Sequence, residues 1–261
     1  MSRVIAVIPA RMGSSRFPGK PLASLLGRPM IEHVVRRVAM CDDLDAVHVA
    51  TCDDEIRDVV ESFGGNVIMT SSAHERASDR VAEAADQLQA DVVVMVQGDE
   101  PMIVPEMLMA AVAPLRADPA VGCVNLARRI RDVEEYQDAN TIKIVTDTND
   151  DALYFSRAPI PLLNPARLAH MRVLKQVCVI PFRRDFLRDF ARLRPTPLEQ
   201  VEAIDMLRAI EHGRRVRIVE TDIDTHAVDT AADLRRVEQC MSHDPMLLRY
   251  DEPSRLLLQR A

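Results

Sequence analysis

Tryptophan is absent, and only six Phe and three Tyr occur in 261 residues, so the core must be assembled from Ala, Val, Leu, Ile and Met. No apolar run reaches the roughly 18 residues of a membrane-spanning helix, so no membrane insertion is expected. The apolar run Val4 to Pro9 behind Met1-Ser2-Arg3 is too short for a signal-peptide core and no small-residue cleavage pattern follows it. A cytoplasmic location is therefore expected. The five cysteines, at 41, 52, 123, 178 and 240, are odd in number and form no Cys-x-x-Cys. Reduced thiols rather than a disulfide framework follow, and the seven scattered His suggest no structural zinc. Positive charge is in the minority, 33 basic against 40 acidic residues for a formal net charge of −7, so no nucleic-acid partner is expected. What is present suffices for a sizeable core: 48% hydrophobic and 28% charged residues exclude a mainly disordered chain.

The first hundred residues alternate between β-like and helix-like segments. Val4–Ile8, Ala46–Thr51 and Asp91–Gln97 are short, β-branched-rich runs of the kind buried on both faces of a parallel sheet. Met30–Met40, Asp54–Phe63 and Ser78–Leu88 carry apolar residues at helical spacing, with Ser78 a candidate N-cap and Gly64-Gly65 a stop signal. This rhythm predicts an α/β fold with a doubly wound, mostly parallel sheet. Past residue 120 the pattern becomes β-rich, with strands predicted at Val121–Ala127, Thr141–Thr146, Leu153–Phe155 and Val173–Phe182, and loops holding Pro159, Pro161 and Pro165. A helix is predicted over Pro197–His212, a strand over Arg215–Thr221 and a closing helix over Ala231–Met241. The reading is one domain over residues 1–241, in which about 120–182 form a smaller β-rich portion, and a C-terminal extension over 242–261.

Chemistry concentrates first in the loop behind the first strand, Pro9-Ala10-Arg11-Met12-Gly13-Ser14-Ser15-Arg16-Phe17-Pro18-Gly19-Lys20-Pro21-Leu22. Ligands of open parallel sheets bind outside the carboxyl ends of the strands. Arg11, Arg16 and Lys20 stand there among small residues that let backbone N–H groups approach an anion, and guanidinium forks suit phosphate oxygens. A polyphosphate is the natural ligand. The loop is not a P-loop: five residues separate Gly13 from Gly19, and Pro21 follows Lys20 where a Ser or Thr is required. Asp99, behind the strand Asp91–Gln97 and Gly98, is either a turn cap or a metal ligand; beside a phosphate loop the second reading gains, because magnesium binds one or two carboxylates plus substrate phosphates. Asp229, just ahead of the last predicted helix, reads equally as a helix cap or a second ligand.

The stretch Pro9–Leu22 resembles the signature loop of the cytidylyltransferases that activate keto-sugar acids, in particular the 3-deoxy-manno-octulosonate (Kdo) cytidylyltransferase family. The resemblance extends over most of the chain, through Val96–Ile103, Ala152–Ala158, Pro195–Glu199 and Val228–Thr230. It implies transfer of CMP from CTP to the anomeric hydroxyl of a keto-sugar acid, with Mg2+ held by Asp99 and Asp229, and Glu100 not a ligand. It implies a nucleotide site of Ala10, Arg11, Arg16, Lys20, Ser78, Arg80, Gln97 and Asp99, in which Lys20, Arg11, Arg16 and Asp99 are catalytic. Ser78 and Arg80 match a base-reading turn in which Ala77 here replaces a Gly, and Ala50, Thr51 and Asp53 match a segment near the nucleotide.

On the acceptor side the resemblance implies Gln97, Arg157, Gln176, Glu199 and Glu202. Here the chain departs from the family pattern: Gln176 and Ile180 stand where a His and a Tyr are usual, which leaves the identity of the sugar acid open. A nucleotidyltransferase for a phosphorylated acceptor and a silent nucleotide-binding protein are the competing readings. The first would want more cations in the second half, and the second is opposed by the joint presence of Arg11, Arg16, Lys20, Asp99 and Asp229. A homodimer is expected through the β-rich region, where Tyr154, Ile160, Leu162 and Leu163 read as exposed. The leucines of the tail, Leu247, Leu248, Leu256, Leu257 and Leu258, are expected to dock on the body or on a partner.

Overall fold

Val4–Pro9 (β1) is buried along its whole length, as a strand covered on both faces must be. In the computed structural model, which describes residues 2–13, 16–164, 168 and 171–250, β1 is the centre of a parallel sheet. Ser14 and Ser15 of the cationic loop, Pro165, and Leu256, Leu257 and Leu258 of the tail lie outside the described residues. The chain divides into two compact units, one formed by residues 1–109 with 225–261 and the other by residues 110–224.

In the first unit β1 is followed by a small hairpin, β2 (Ser24–Leu25) and β3 (Arg28–Pro29), then α1 (Met30–Ala39), β4 (Ala46–Thr51), α2 (Asp54–Ser62), β5 (Asn66–Met69), α3 (Ala77–Asp86) and β6 (Val92–Val96). Within this unit the strands lie in the order β6-β1-β4-β5, all parallel, with Ile5 opposite Ala46 and Val93 on its two sides. The chain winds outward from β1 to β5 and then crosses to β6 on the other side of β1. The topological switch point thus falls between the carboxyl ends of β1 and β6. The doubly wound α/β expectation holds.

Helix α4 (Pro105–Ala117) leads into the second unit, which contains β7 (Val124–Arg129), α5 (Val133–Gln137), β8 (Lys143–Thr146), β9 (Ala152–Ser156), β10 (Leu174–Gln176), β11 (Val179–Arg183), α6 (Arg184–Arg192), α7 (Pro197–Glu202), α8 (Met206–Glu211) and β12 (Arg217–Thr221). Its sheet has the order β12-β7-β10-β8-β9; only the β12–β7 pair is parallel. Two expected elements are each broken. Val173–Phe182 is not one strand, because Val177 donates to the Leu126 carbonyl and Val179 turns back onto the Val177 carbonyl, which separates β10 from β11. Pro197–His212 is not one helix, because Ala203 adopts a left-handed conformation (φ 56°) that ends α7 before α8 starts.

The chain returns to the first unit for α9 (Ala231–Met241) and α10 (Met246–Arg249). The described part of the tail docks on its own unit through Leu247, which packs against the Val228 cluster, whereas Leu248, also expected to dock, is exposed. Arg37 of α1 is fully buried and donates to Asp244 at 2.5 Å, while its Nε reaches the Tyr250 hydroxyl at 3.4 Å. His33, one turn earlier, sits against the same tyrosine ring edge-on. Its Nε2 donates to the Leu25 carbonyl at 2.7 Å, which leaves Nδ1 to accept from the Tyr250 hydroxyl at 2.9 Å. Among the described residues no helix is long and apolar enough to cross a membrane.

Two outcomes follow for stability. Asp244→Ala strands a buried guanidinium and should cost up to about 3 kcal/mol in chemical denaturation. Burial lowers the pKa of His33 below 6.5; the Leu25 carbonyl opposes this, and Arg37 and Arg28 reinforce it. The unfolded chain therefore takes up that proton first, so stability is complete above about pH 6.5 and declines as pH falls through the folded-state value. Thermal melts of His33→Gln should show a shallower decline in the first pH unit below 6.5 than the unsubstituted protein.

Candidate active site

The cationic loop is closed by its own backbone. Gly19 takes a left-handed conformation (φ 72°), which a glycine adopts without steric cost, and its N–H donates to the Met12 carbonyl at 3.1 Å. The Met12 N–H in turn donates to the carboxylate of Asp53 at 2.8 Å. Asp53 precedes α2 yet makes no side-chain cap to it, so its carboxylate is used to fasten the loop. Lys20 then opens a 3-10 turn that Pro21 fixes.

The second element is the turn behind β6. A Cβ on Gly98 would lie 3.1 Å from the Pro9 carbonyl oxygen and 3.4 Å from Ile31 Cδ1, a tight fit, so glycine lets this turn lie against the end of β1 without crowding. Asp99 follows directly. The third element arrives from far along the chain: the Val228 N–H donates to the Asp99 carbonyl at 2.9 Å. Val228 itself is fully buried with Leu25, Met30, Val237 and Met241. Burial of such a side chain is worth about 1.5–3 kcal/mol and holds Asp229 in place beside it.

The three elements meet at one ammonium. Lys20 Nζ lies 2.6 Å from Asp99 Oδ2 and 3.4 Å from Asp229 Oδ1, and Arg16 reaches the same Asp229 oxygen at 2.9 Å. Burial alone would push the Lys20 pKa down; the two carboxylates outweigh it and the net movement is upward, so the lysine stays charged. The cap reading of Asp229 falls away, because Thr230 is the N-cap of α9 and forms a capping box with Asp233. Glu100 is buried and accepts from the Thr225 hydroxyl at 2.6 Å, which fits its exclusion as a ligand. Arg11 is exposed and forms no ion pair among the described residues. Ala10 donates its N–H to the Ala50 carbonyl, and Gln97 is half-buried directly behind β6.

Ser78 is not an N-cap. Helix α3 begins at Ala77 with Arg76 in the cap position, and Ser78 lies fully buried inside it. Arg80 is also buried, donating to Thr70 Oγ1 at 2.5 Å and to Cys52 Sγ at 3.5 Å. Arg80 thereby ties α3 to the segment behind β5 and to the end of β4. Sequence reasoning missed that Glu83 ties down the turn that leads into α3, by accepting from the Ser71 N–H at 2.9 Å and pairing with the His74 ring.

In the second unit, Arg157 and Glu202 come together. The Glu202 carboxylate accepts from the Ser156 hydroxyl at 2.6 Å, the Tyr154 hydroxyl at 3.3 Å and the Arg157 N–H at 2.8 Å. Burial raises the carboxyl pKa of Glu202, but these hydrogen bonds and the Arg157 charge more than offset it and the net movement is downward. Glu199 is 1% exposed and grips Arg208 with both oxygens, at 2.6 to 3.0 Å, which joins α7 to α8 across the break at Ala203. The Glu199 carboxylate, expected among the sugar-binding groups, is thus engaged by Arg208 in this structure. Gln176 donates to buried Asn125 at 2.6 Å, whereas Ile180 lies on the separate strand β11 and is buried.

The sequence profile of the family described as cytidylyltransferase matches residues 5–223. The 3-deoxy-manno-octulosonate cytidylyltransferase of Geobacter metallireducens is 44% identical over 249 residues, 92% of this chain and 98% of that protein. The enzyme of the same name from Syntrophotalea carbinolica is 47% identical over 244 residues, 90% of this chain and 97% of that one. The chain belongs to the 3-deoxy-manno-octulosonate cytidylyltransferase family. A solved structure of CMP:2-keto-3-deoxy-manno-octonic acid synthetase complexed with CTP matches with a TM-score of 0.85 at 40% identity, covering 92% of this chain and 99% of that one. At 15% identity and a TM-score of 0.63, 4-diphosphocytidyl-2C-methyl-D-erythritol synthase from Anaerococcus prevotii shares the fold alone.

The crowding at Gly98 is testable within this family member. Gly98→Ala must push the turn away from the Pro9 carbonyl, so it should cost about 1–3 kcal/mol in denaturation and reduce turnover by displacing Asp99. Wild-type stability in the purified variant would remove close packing as the reason for glycine there.

Proposed function

We propose that this chain transfers CMP from CTP to the anomeric hydroxyl of a keto-sugar acid, 3-deoxy-D-manno-octulosonate, and releases pyrophosphate; the CMP-sugar serves lipopolysaccharide or other surface polysaccharide synthesis. The observation that carries this reading is the Lys20 ammonium shared by Asp99 and Asp229 at the switch point of the sheet, in a chain alike over nine-tenths of its length to enzymes of that name. The hydroxyl oxygen forms a bond to the α-phosphorus, the bond to the β-phosphate breaks, and the hydroxyl proton passes to water. Arg11, Arg16 and Lys20 hold the departing phosphate oxygens and stabilise the charge that collects on them. Ser78 and Arg80 serve the cytosine side. Arg157 pairs with the acceptor's carboxylate, and Gln97 and Gln176 offer neutral hydrogen-bonding groups to its hydroxyls.

The residues fit magnesium. Asp99 and Asp229 already converge on one point charge, and among the described residues no larger cluster of metal-binding side chains exists. Two carboxylates completed by phosphate oxygens and waters are the donor set this ion takes. When bound, it supplies charge neutralisation for an anionic acceptor approaching a triphosphate. Five free thiols suit a cytoplasmic, reducing setting. A homodimer is part of the reading, although of the four residues expected to be exposed only Leu162 is, at 99%; Tyr154, Ile160 and Leu163 are half-buried, and Leu153, at 58%, is the second exposed leucine of the β-rich unit. Sedimentation as a concentration-independent monomer would rule it out.

The decisive assay is pyrophosphate release from CTP with a panel of keto-sugar acids, with and without magnesium. Release should require a sugar acid and the metal, and be fastest with Kdo; release with a phosphorylated acceptor alone would overturn the assignment. Lys20→Ala and Asp99→Ala should remain folded by circular dichroism and lose about 10²–10³ in turnover.

A further inference from the structure

Only three of the 33 basic residues are lysine, at positions 20, 143 and 175, so positive charge is carried almost wholly by arginine. Lys143 is the unusual one. Its residue is fully buried, yet its ammonium is met by three backbone carbonyls, those of Asp138 at 2.7 Å, Thr141 at 2.6 Å and Arg157 at 2.6 Å. The three carbonyls take all three N–H groups, an arrangement a planar guanidinium cannot copy. Its hydrogen bonds all go to neutral carbonyls. Burial and the Arg157 guanidinium oppose the charge, and although the Asp138 and Glu202 carboxylates favour it from a distance, the net movement of its pKa is downward, a cost that a methionine of similar length would not incur. A role beyond packing is the reason to look at what those carbonyls control.

They control Arg157. One of them belongs to Arg157 itself. The other two flank Ala139, whose carbonyl accepts from Arg157 Nη1 at 3.1 Å. From the opposite side Glu202 takes the Arg157 N–H with its carboxylate at 2.8 Å and Arg157 Nε with its backbone carbonyl at 2.8 Å. The backbone N–H, the backbone carbonyl, Nε and Nη1 of Arg157 are therefore all fixed, and among the described residues Nη2 makes no hydrogen bond. We infer that Lys143 and Glu202 are positioning residues that hold Arg157 with Nη2 presented to the acceptor's carboxylate, and that Glu202 is not itself a sugar ligand. This rests on the reading of Arg157 as the partner of the acid.

The test is a double-mutant cycle in the full-length protein, with CTP, magnesium and Kdo as substrates. Lys143→Met and Glu202→Gln should each raise KM for Kdo by about 10- to 100-fold, with KM for CTP within about twofold of wild type. In an Arg157→Ala background both effects should vanish, because each acts only through that arginine. A rise in KM for Kdo that persists in the Arg157→Ala background overturns the inference, as does an unchanged KM in either single variant. Should Lys143→Met fail to fold, the Glu202→Gln arm of the cycle decides by the same criteria. If Arg157→Ala alone leaves KM for Kdo unchanged, the acceptor reading of Arg157 fails, an outcome separate from the others, and the inference fails with it.

Discussion

One lysine ammonium with two aspartates around it is the interaction on which the first unit's chemistry turns. Lys20, Asp99 and Asp229 come from three segments 79 and 209 residues away from the lysine, and each is delivered by a different device. A left-handed glycine sets the start of the Lys20 turn, a glycine packed on the Pro9 carbonyl sets the Asp99 turn, and a buried valine sets Asp229. None of these devices is itself charged. Two carboxylates brought this near each other repel unless a cation lies between them. The lysine supplies that cation in the free protein, so the acidic pair keeps its geometry before any ligand arrives.

Two charged clusters, one in each unit, are held differently. In the first, cations meet carboxylates at partly exposed positions, where a triphosphate or a metal can exchange partners with them. In the second, the charges of Lys143 and Arg157 end on backbone carbonyls, at 2.6 to 3.1 Å. Carbonyls cannot be protonated or displaced by salt, so that scaffold is rigid where the first is exchangeable.

Much of the first unit was legible because its strands are short apolar runs at regular intervals and its helices carry apolar residues at helical spacing. The cationic loop was legible because three cations among small residues behind a buried strand have few structural uses. The breaks at Val177–Cys178 and Ala203 were not, since one arises from backbone hydrogen bonds and the other from a left-handed backbone at a non-glycine residue, neither of which side-chain patterning encodes. The same limit hid the Asp53 tie to Met12 and the Lys143 cradle: acceptors that are main-chain carbonyls, and donors that are main-chain amides, leave no residue signature. Thr230 could have been found, for Thr230-Ala231-Ala232-Asp233 has the spacing of a reciprocal helix cap, and noticing it would have freed Asp229 at once.

The first unit is assembled from both ends of the chain, with the second inserted as one continuous stretch. On the ribosome, residues 110–224 emerge and can condense while the earlier sheet still lacks Asp229 and the tail that covers Arg37. The cluster of Lys20, Asp99 and Asp229 is thus completed only after the whole second unit has been synthesised.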